Sequence, residues 1–165
     1  MPKKQIYLTG FMGTGKSMIL NCLHEVCGFD KIEMDEQIVQ EQGMSIPEIF
    51  EKKGEEYFRN LETELVKKIS AMDNIVVSCG GGTVMRQCNV DEMKKNGTIV
   101  LLTAEPETVY ERVRGSHNRP LLEKNMNPEY IKELMEARRP KYEAAADFVI
   151  KTDNRTAEEI CLEIN

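Results

Sequence analysis

Long apolar segments are missing from this sequence of 165 residues. The longest unbroken apolar run, residues 99–102, is four residues long, whereas a membrane-spanning helix needs about 20. The first ten residues, MPKKQIYLTG, contain no secretory apolar region. We therefore expect no membrane partner. No repeat, low-complexity tract or linker-like stretch is present either, so we predict a single domain over residues 1–165.

Positive charge is also in short supply. The chain has 22 lysines and arginines against 28 aspartates and glutamates, a net charge of −6. Nucleic acids and anionic membranes are bound by clustered positive charge, so we expect no nucleic-acid partner. An anionic small substrate is compatible with this balance, because a local group of arginines can bind it within an acidic background.

Paired cysteines are lacking as well. The chain has five cysteines, an odd number, and no C-x-x-C motif. A disulfide framework would need even numbers and regular spacing. The pattern indicates reduced thiols, and we expect a cytoplasmic protein.

Short apolar runs alternate along the chain with helical patterns. The runs predict strands at residues 6–8, 31–34, 75–77, 98–102 and 148–150. Helices are predicted at residues 16–27, 35–42, from 45, 55–71, 91–95, 106–114, 128–145 and from 156, with Pro140 ending or kinking the seventh. Continuously apolar strands separated by helices predict a five-stranded parallel sheet covered on both faces, a three-layer α/β/α sandwich. The pattern leaves the strand order open.

Residues 10–17, GFMGTGKS, match the motif G-x-x-x-x-G-K-[ST] in full. In this motif backbone N–H groups surround phosphate oxygens at a helix N-terminus, the lysine reaches the β- and γ-phosphates, and the hydroxyl ligates Mg²⁺. The match follows an apolar strand and precedes a helix, which is the required context. It predicts a nucleoside-triphosphate site around Lys16 and Ser17.

Elements of other nucleotide-binding classes are absent from the sequence. It contains neither the N-K-x-D nor the D-x-x-G string that a regulatory GTPase carries. A motor or transport ATPase would need a second domain, for which the length leaves no room. Small-molecule phosphoryl transfer is therefore the leading hypothesis.

Four further clusters suit an acceptor site. Glu33 and Asp35 end the second strand, where carboxylates can reach a metal ion or an acceptor hydroxyl. Residues 54–62, GEEYFRNLE, place an arginine and a glutamate at i, i+3 on one helical face. Three glycines, residues 80–82, follow the third strand and let a ligand approach the backbone. The strings RPLL and R-x-P-x-Y occupy residues 119–122 and 138–142.

With these motifs in this order, the sequence closely resembles the shikimate kinase family, which belongs to the nucleoside-monophosphate-kinase-like P-loop enzymes. The resemblance covers essentially the whole chain. It implies the P-loop kinase fold and transfer of the γ-phosphoryl of ATP to the 3-hydroxyl of shikimate, with Mg²⁺ as cofactor, in chorismate and aromatic amino-acid biosynthesis. It also implies a monomer whose partners are ATP and shikimate. The acceptor-binding region is expected at about 33–62 and a lid at about 112–127.

The resemblance also implies roles for individual residues. The catalytic residues would be Asp35, which contacts the acceptor hydroxyl, Lys16, and Arg119 from the lid. Substrate would be bound by Asp35, Arg59, Gly80, Gly81, Gly82 and Arg138. ATP would be bound by Gly13, Thr14, Gly15, Lys16, Ser17, Met18, Arg119 and Arg155. Metal would be bound by Ser17 and Glu33.

Two positions depart from the family pattern. The usual D-x-D is E-x-D here, with Glu33 in the first place, which leaves its metal role open. Met18 replaces the usual threonine after the loop serine, and we expect it to affect helix packing rather than chemistry. Ser78, just before the glycines, is a candidate for a water-mediated metal contact.

Several of these residues have plainer alternatives. Arg59 and Glu62 are also compatible with a surface ion pair, and Arg138 with a solvated helix end. Asp35 is compatible with an N-cap. An adenine contact from Arg112 or Arg114 stays open.

Three rival functions also stay open. A gluconate kinase or nucleoside-monophosphate kinase of the same fold would carry a similar set of residues. A nucleotide-sensing module would need the phosphate loop without an acceptor pocket.

Overall fold

The structure, a computed structural model, describes residues 5–10, 15–80, 82–113, 128–153 and 155–164. Within these residues the strands are β1 (Gln5–Thr9), β2 (Asp30–Glu33), β3 (Ile75–Ser78), β4 (Gly97–Thr103) and β5 (Phe148–Lys151). The helices are α1 (Lys16–Cys27), α2 (Met34–Gln42), α3 (Ile46–Lys53), α4 (Glu55–Ile69), α5 (Gln87–Lys94), α6 (Pro106–Val113), α7 (Pro128–Ala145) and α8 (Ala157–Ile164).

All five strands form one parallel sheet in the order β2-β3-β1-β4-β5. Strand β3 lies between β2 and β1, with Ser78 paired to Glu33 on one side and to Leu8 on the other. The parallel sheet confirms the predicted fold class. The order brings the carboxyl ends of β2, β3 and β1 next to one another at one edge of the sheet.

Two apolar clusters cover the two faces of the sheet. Because side chains alternate along a strand, Tyr7 belongs to one cluster, with residues of α2 to α7, and Leu8 to the other, with residues of α1 and α8. Side chains at the centre of both clusters are fully shielded from solvent. The molecule is therefore the predicted three-layer sandwich.

Local chemistry sets most of the helix ends that the sequence predicts. Helix α1 ends at Gly28, which has φ of 78°, in the left-handed region that favours glycine. Helix α3 begins after Ser45. The Ser45 side chain accepts from the backbone N–H of Glu48, and the Glu48 carboxylate accepts from the backbone N–H of Ser45, forming a capping box. Gly54, with φ of 90°, separates α3 from α4.

Two helix predictions were wrong in part. Helix α5 begins at Gln87 rather than at residue 91. Its first turn looks polar, yet Asn89 is buried and donates to the carbonyl of Thr83 at 2.8 Å. Helix α7 runs through Pro140 without ending there. Pro140 is exposed. Ile131, which precedes it in the helix, and Tyr142, which follows it, are both buried in the core cluster and keep the helix packed there.

A short 3₁₀ helix, Thr83–Met85, follows the glycines and was not predicted. Three residues carry too little periodicity to be recognised in a sequence. Among the described residues, no helix combines the length and the apolar composition that crossing a membrane requires.

Candidate active site

The candidate site lies at the edge of the sheet where β2, β3 and β1 end. Glu33 closes β2, Ser78 closes β3, and Gly10 follows β1. In open α/β sheets ligands bind outside the carboxyl ends of the strands. The strand order therefore brings the acidic pair, the first of the three glycines and the start of the phosphate loop to one edge of the sheet. We call the region outside this edge the cleft.

The described part of the phosphate loop comprises Gly10 and residues 15–17. Gly15 precedes α1 with φ of 103°, a left-handed conformation that suits glycine. The Lys16 Nζ donates to the carbonyl oxygen of Gly10 at 2.5 Å, spanning the loop. The first turn of α1 has no acidic residue, so its positive dipole end is not offset by side-chain charge. Gly13 and Thr14 lie outside the described residues.

Ser17 and Glu33, predicted as metal ligands, are brought together. The Ser17 hydroxyl donates to Glu33 Oε1 at 3.0 Å, and Ser78 is paired with Glu33 across the β2–β3 ladder. Within the described residues no group of three or more His, Cys, Asp or Glu side chains is placed to hold a metal. A hydroxyl and one carboxylate fit Mg²⁺, which usually keeps several waters and shares its ligands with substrate phosphates.

Asp35 lies in the first turn of α2 rather than at its N-cap. The cap position is Glu33, without a side-chain cap bond, so the N-cap alternative for Asp35 is wrong. The neighbouring Met34 is fully buried, which anchors this turn against the sheet. A methyl group placed on Gly80 would stand 2.9 Å from Asp35 Oδ1. Asp35 therefore faces the glycine segment at close range.

Arg59 and Glu62 form a buried pair on α4. Arg59 Nη1 donates to Glu62 Oε1 at 2.8 Å, and the side chains are 16% and 1% exposed. The surface ion-pair alternative is therefore wrong. Burial raises the pKa of Glu62, although the Arg59 charge and hydrogen bonds from Arg59 and Thr83 oppose that rise. Burial acts to lower the pKa of Arg59, but the charges and hydrogen bonds of Glu62 and Glu55 raise it overall.

An aromatic wall lies beside this pair. The Arg59 guanidinium sits 5.4 Å from the centroid of the Phe58 ring, within the range of a cation–π contact. The Phe50 ring packs 5.2 Å from Phe58. The guanidinium therefore lies beside a pair of packed aromatic rings.

Gly80 and Gly82 lie against these charged groups. A methyl group on Gly80 would come within 2.7 Å of Glu62 Oε2, and one on Gly82 within 2.5 Å of Arg59 Nη1. A side chain at either position would therefore displace one of these charged groups. Gly81 lies outside the described residues.

Arg138 reaches the same region from α7. Its guanidinium hydrogen-bonds the hydroxyl of buried Tyr142, and the charge of Arg59 acts on that hydroxyl as well. Burial raises the pKa of Tyr142 despite both arginines. Arg138 is half-buried and Arg139 is exposed, so the solvated-end alternative is wrong for Arg138.

Other predicted residues lie elsewhere or outside the described part of the chain. Met18 is 54% exposed on α1, so the expectation that it affects helix packing is wrong. Arg155 precedes α8 and pairs with Glu163 at 2.6 Å. Arg114, Arg119 and the rest of the predicted lid from residue 114 lie outside the described residues, as does the side chain of Arg112.

Three side chains of the site were not predicted as site residues. Glu62 and Tyr142 were visible in the motif strings, and their spacing from Arg59 and Arg138 was the available signal. Thr83 carried no signal in the sequence. Its hydroxyl donates to Glu62 Oε2 at 2.7 Å. The two residues are 21 positions apart in the chain, a separation that no short spacing pattern reveals.

Comparison with known proteins agrees with this geometry. The family model described as shikimate kinase matches residues 12–165. The shikimate kinase of Persephonella marina is 44% identical over 161 residues, covering 98% of this chain and 96% of the relative. A solved structure of shikimate kinase from Acinetobacter baumannii in complex with shikimate superposes with a TM-score of 0.92 and 32% identity, covering 99% of this chain and 90% of that one.

A gluconokinase from Sinorhizobium meliloti superposes less closely, with a TM-score of 0.61 and 19% identity over 98% of this chain and 89% of that one. That likeness shows a shared fold alone. The family match covers both the phosphate loop from residue 12 onward and the acceptor side. The described geometry places Gly10, which follows β1, at the same edge of the sheet as Glu33 and Ser78. This chain is a kinase with the P-loop fold and belongs to the shikimate kinase family.

Proposed function

We propose that this protein transfers the γ-phosphoryl group of ATP to the 3-hydroxyl of shikimate, giving 3-phosphoshikimate and ADP. The observation that carries the proposal is the acceptor side of the cleft, where the Asp35 carboxylate and the Arg59 guanidinium flank Gly80 and Gly82. A nucleotide-sensing module has no need of such a pocket.

Two guanidinium groups serve the carboxylate end of the acceptor. Shikimate is a ring carboxylate, and a planar guanidinium grips a carboxylate through two parallel hydrogen bonds. Arg59 is held in place by Glu62, and Arg138 by Tyr142. Both arginines therefore meet the substrate already oriented. The segment 80–82 provides backbone contact to the ring.

Asp35 serves the hydroxyl end of the acceptor. A carboxylate within hydrogen-bond reach of the 3-hydroxyl orients it and takes up its proton as the new P–O bond forms. The bond between the γ-phosphorus and the bridging oxygen breaks at the same time, and ADP leaves. The closeness of Asp35 Oδ1 to Gly80 keeps this carboxylate beside the ring contacts.

Positive charge serves the phosphate end. The backbone at residues 13–15 and the Lys16 ammonium bind the phosphates, and Arg119 from a lid over about 112–127 closes on the transferring group. Phosphoryl transfer is accelerated mainly by positioning and by neutralising developing charge. A divalent ion, which we propose is Mg²⁺, would be held by Ser17 and Glu33 and would neutralise phosphate charge when bound. The remaining proposed ATP contacts are Met18 and Arg155.

We also propose that the enzyme is a single-domain monomer in the cytoplasm. All five cysteines are free thiols, which suits a reducing compartment.

A coupled assay of ADP release tests the proposed reaction. The purified protein would be given ATP and Mg²⁺ with shikimate, gluconate, AMP or CMP in turn. We expect ADP release that depends on shikimate, with turnover for the other acceptors at the level of the acceptor-free blank. Turnover with gluconate or a nucleoside monophosphate in place of shikimate would contradict the proposal, as would ATP binding without any acceptor-dependent turnover.

A further inference from the structure

Thr83 is a fully buried polar residue directly after the glycine segment. Its N–H donates to the carbonyl of Gly80 at 3.2 Å, and its carbonyl accepts from Asn89 Nδ2 at 2.8 Å. Its hydroxyl donates to Glu62 Oε2 at 2.7 Å. Both backbone groups and the hydroxyl are therefore held, so the direction of the hydroxyl is set by the fold.

The two oxygens of Glu62 have separate partners. Oε1 accepts from Arg59 Nη1 at 2.8 Å, and Oε2 accepts from Thr83. Since the Glu62 side chain is 1% exposed, bulk water does not reach it to replace either donor. An unpartnered buried carboxylate oxygen carries a large desolvation cost.

Three titratable groups act on Glu62 or are acted on by it. Arg59 lies on the same helix and Asp35 on α2, while the Cys79 thiol belongs to the residue that follows β3. Burial raises the pKa of Cys79 to about 12, so that thiol stays neutral. Asp35 disfavours a charged Glu62, whereas Arg59 and the Thr83 hydroxyl favour it.

We propose that Thr83 is a positioning residue for acceptor binding, whose hydroxyl fixes the Glu62 carboxylate so that Glu62 holds the Arg59 guanidinium against Gly82. The proposal rests on the proposed function in that Arg59 binds the acceptor. Within the described residues Thr83 hydrogen-bonds Gly80, Glu62 and Asn89, none of which is a proposed ATP contact, so we expect it to have no part in binding ATP.

Removal of the Thr83 hydroxyl should raise the pKa of Glu62. Glu62 Oε2 would face the negative charge of Asp35 without a donor, so the pKa of Glu62 would rise further above its ordinary value. Glu62 would then take up a proton at a higher pH than in the wild type. Neutral Glu62 holds Arg59 less firmly, so acceptor binding would weaken most on the acid side.

The test compares Thr83→Val, which keeps the branched shape, with Thr83→Ser, which keeps the hydroxyl. Steady-state kinetics would be measured from pH 5.5 to 9. We expect Thr83→Val to raise the KM for shikimate about tenfold at pH 7, the scale of an unsatisfied buried group, and more at pH 6 than at pH 8.5. The KM for ATP and kcat should each change by less than about threefold, because the hydroxyl acts on acceptor binding. Thr83→Ser should have a KM for shikimate close to that of the wild type, because the serine keeps the hydroxyl.

Two further variants separate positioning from a general structural role. Thr98→Val, at the opposite end of β4, removes a hydroxyl from a half-buried threonine far from the cleft and should leave both KM values unchanged. In a Glu62→Gln background, Thr83→Val should add little, because both changes act through one carboxylate. Equal effects of Thr83→Val on both KM values, a pH-independent loss, or full additivity with Glu62→Gln would each overturn the proposal.

A readout without substrate keeps this test apart from the proposed function. Absence of shikimate turnover in the wild type would contradict the function alone. In that case the Glu62 carboxyl is titrated by ¹³C NMR in wild type and Thr83→Val. A higher pKa of Glu62 in the variant supports the role of Thr83, and an unchanged pKa overturns it.

Discussion

Single side chains in this protein differ sharply in role even when they are neighbours in the chain. Arg138 and Arg139 adjoin each other on α7, yet Arg138 is half-buried against Tyr142 and Arg139 is exposed. Asp35 and Glu36 adjoin each other on α2, and Asp35 is the one that faces Gly80. Each pair supplies a mutation and its own matched control.

We predict that Arg138→Ala raises the KM for shikimate by about 10- to 100-fold, the scale of losing a hydrogen bond to a charged group, with less effect on kcat. Arg139→Ala should leave the KM for shikimate within about twofold, because an exposed arginine contributes little. Steady-state kinetics with ATP saturating measures both values. Equal KM values in the two variants would place Arg138 outside the acceptor pocket.

We predict that Asp35→Asn lowers kcat by about 100-fold or more, because an amide cannot take up the proton of the acceptor hydroxyl. ATP affinity, measured by calorimetric titration, should be unchanged. Glu36→Gln, an equally conservative change on the exposed side of α2, should retain wild-type kcat. A nearly wild-type kcat in Asp35→Asn would remove Asp35 from the chemistry.

At the scale of secondary structure, the segment that joins β3 to the 3₁₀ helix determines the shape of the acceptor side. In it, Gly80 lies against the carboxylates of Asp35 and Glu62, and Gly82 lies against the guanidinium of Arg59. Glycines make these close approaches possible because they carry no Cβ. The same residue type serves a different purpose at Gly43, which ends α2 with φ of 67° and has open space around it.

We predict opposite outcomes for alanine at these two kinds of glycine. Gly82 has φ of −108°, which any residue adopts, but the new methyl group would displace the Arg59 guanidinium. Gly82→Ala should raise the KM for shikimate about tenfold or more, since small misplacements at a binding group are costly. Its free energy of unfolding should stay at the wild-type value. Gly43→Ala should lose about 1–2 kcal/mol of unfolding free energy through left-handed strain and keep its kinetics.

Urea unfolding and steady-state kinetics on both glycine variants check this contrast. A Gly82→Ala variant that unfolds more easily, but binds shikimate normally, would show that the segment serves the fold alone.

The elements themselves were largely predictable, for local reasons. The bounds of α1 and α7 follow from apolar periodicity and from Gly28 and Pro128, which act within one turn. The start of α5 was predicted too late in the chain, and of the two effects expected of Pro140 the ending of α7 is wrong. Both depend on packing: Asn89 donates to Thr83 at 2.8 Å, and Ile131 and Tyr142 are buried against neighbouring elements.

At the scale of the whole molecule, the charge of the binding region differs in sign from the net charge. The net charge is −6, yet the side chains proposed to contact the anionic ligands are partly buried cations. Arg59 is 16% exposed in its side chain, and Lys16 and Arg138 are half-buried. A desolvated cation interacts more strongly with an anion than an exposed one does. The overall acidity therefore does not oppose binding of ATP and shikimate.

The sequence by itself determined the fold class, the phosphate loop and the family resemblance, because each depends on residue types at short, regular spacing. The tertiary structure decided what depends on distant contacts: the strand order, the burial of the Arg59–Glu62 pair, and the hydrogen bond from Thr83 to a carboxylate in another element. The physical reason is that a spacing pattern shows only which side chains lie on the same face of one helix or strand. Desolvation and hydrogen bonding at a buried site are set by whichever residues the fold brings against it.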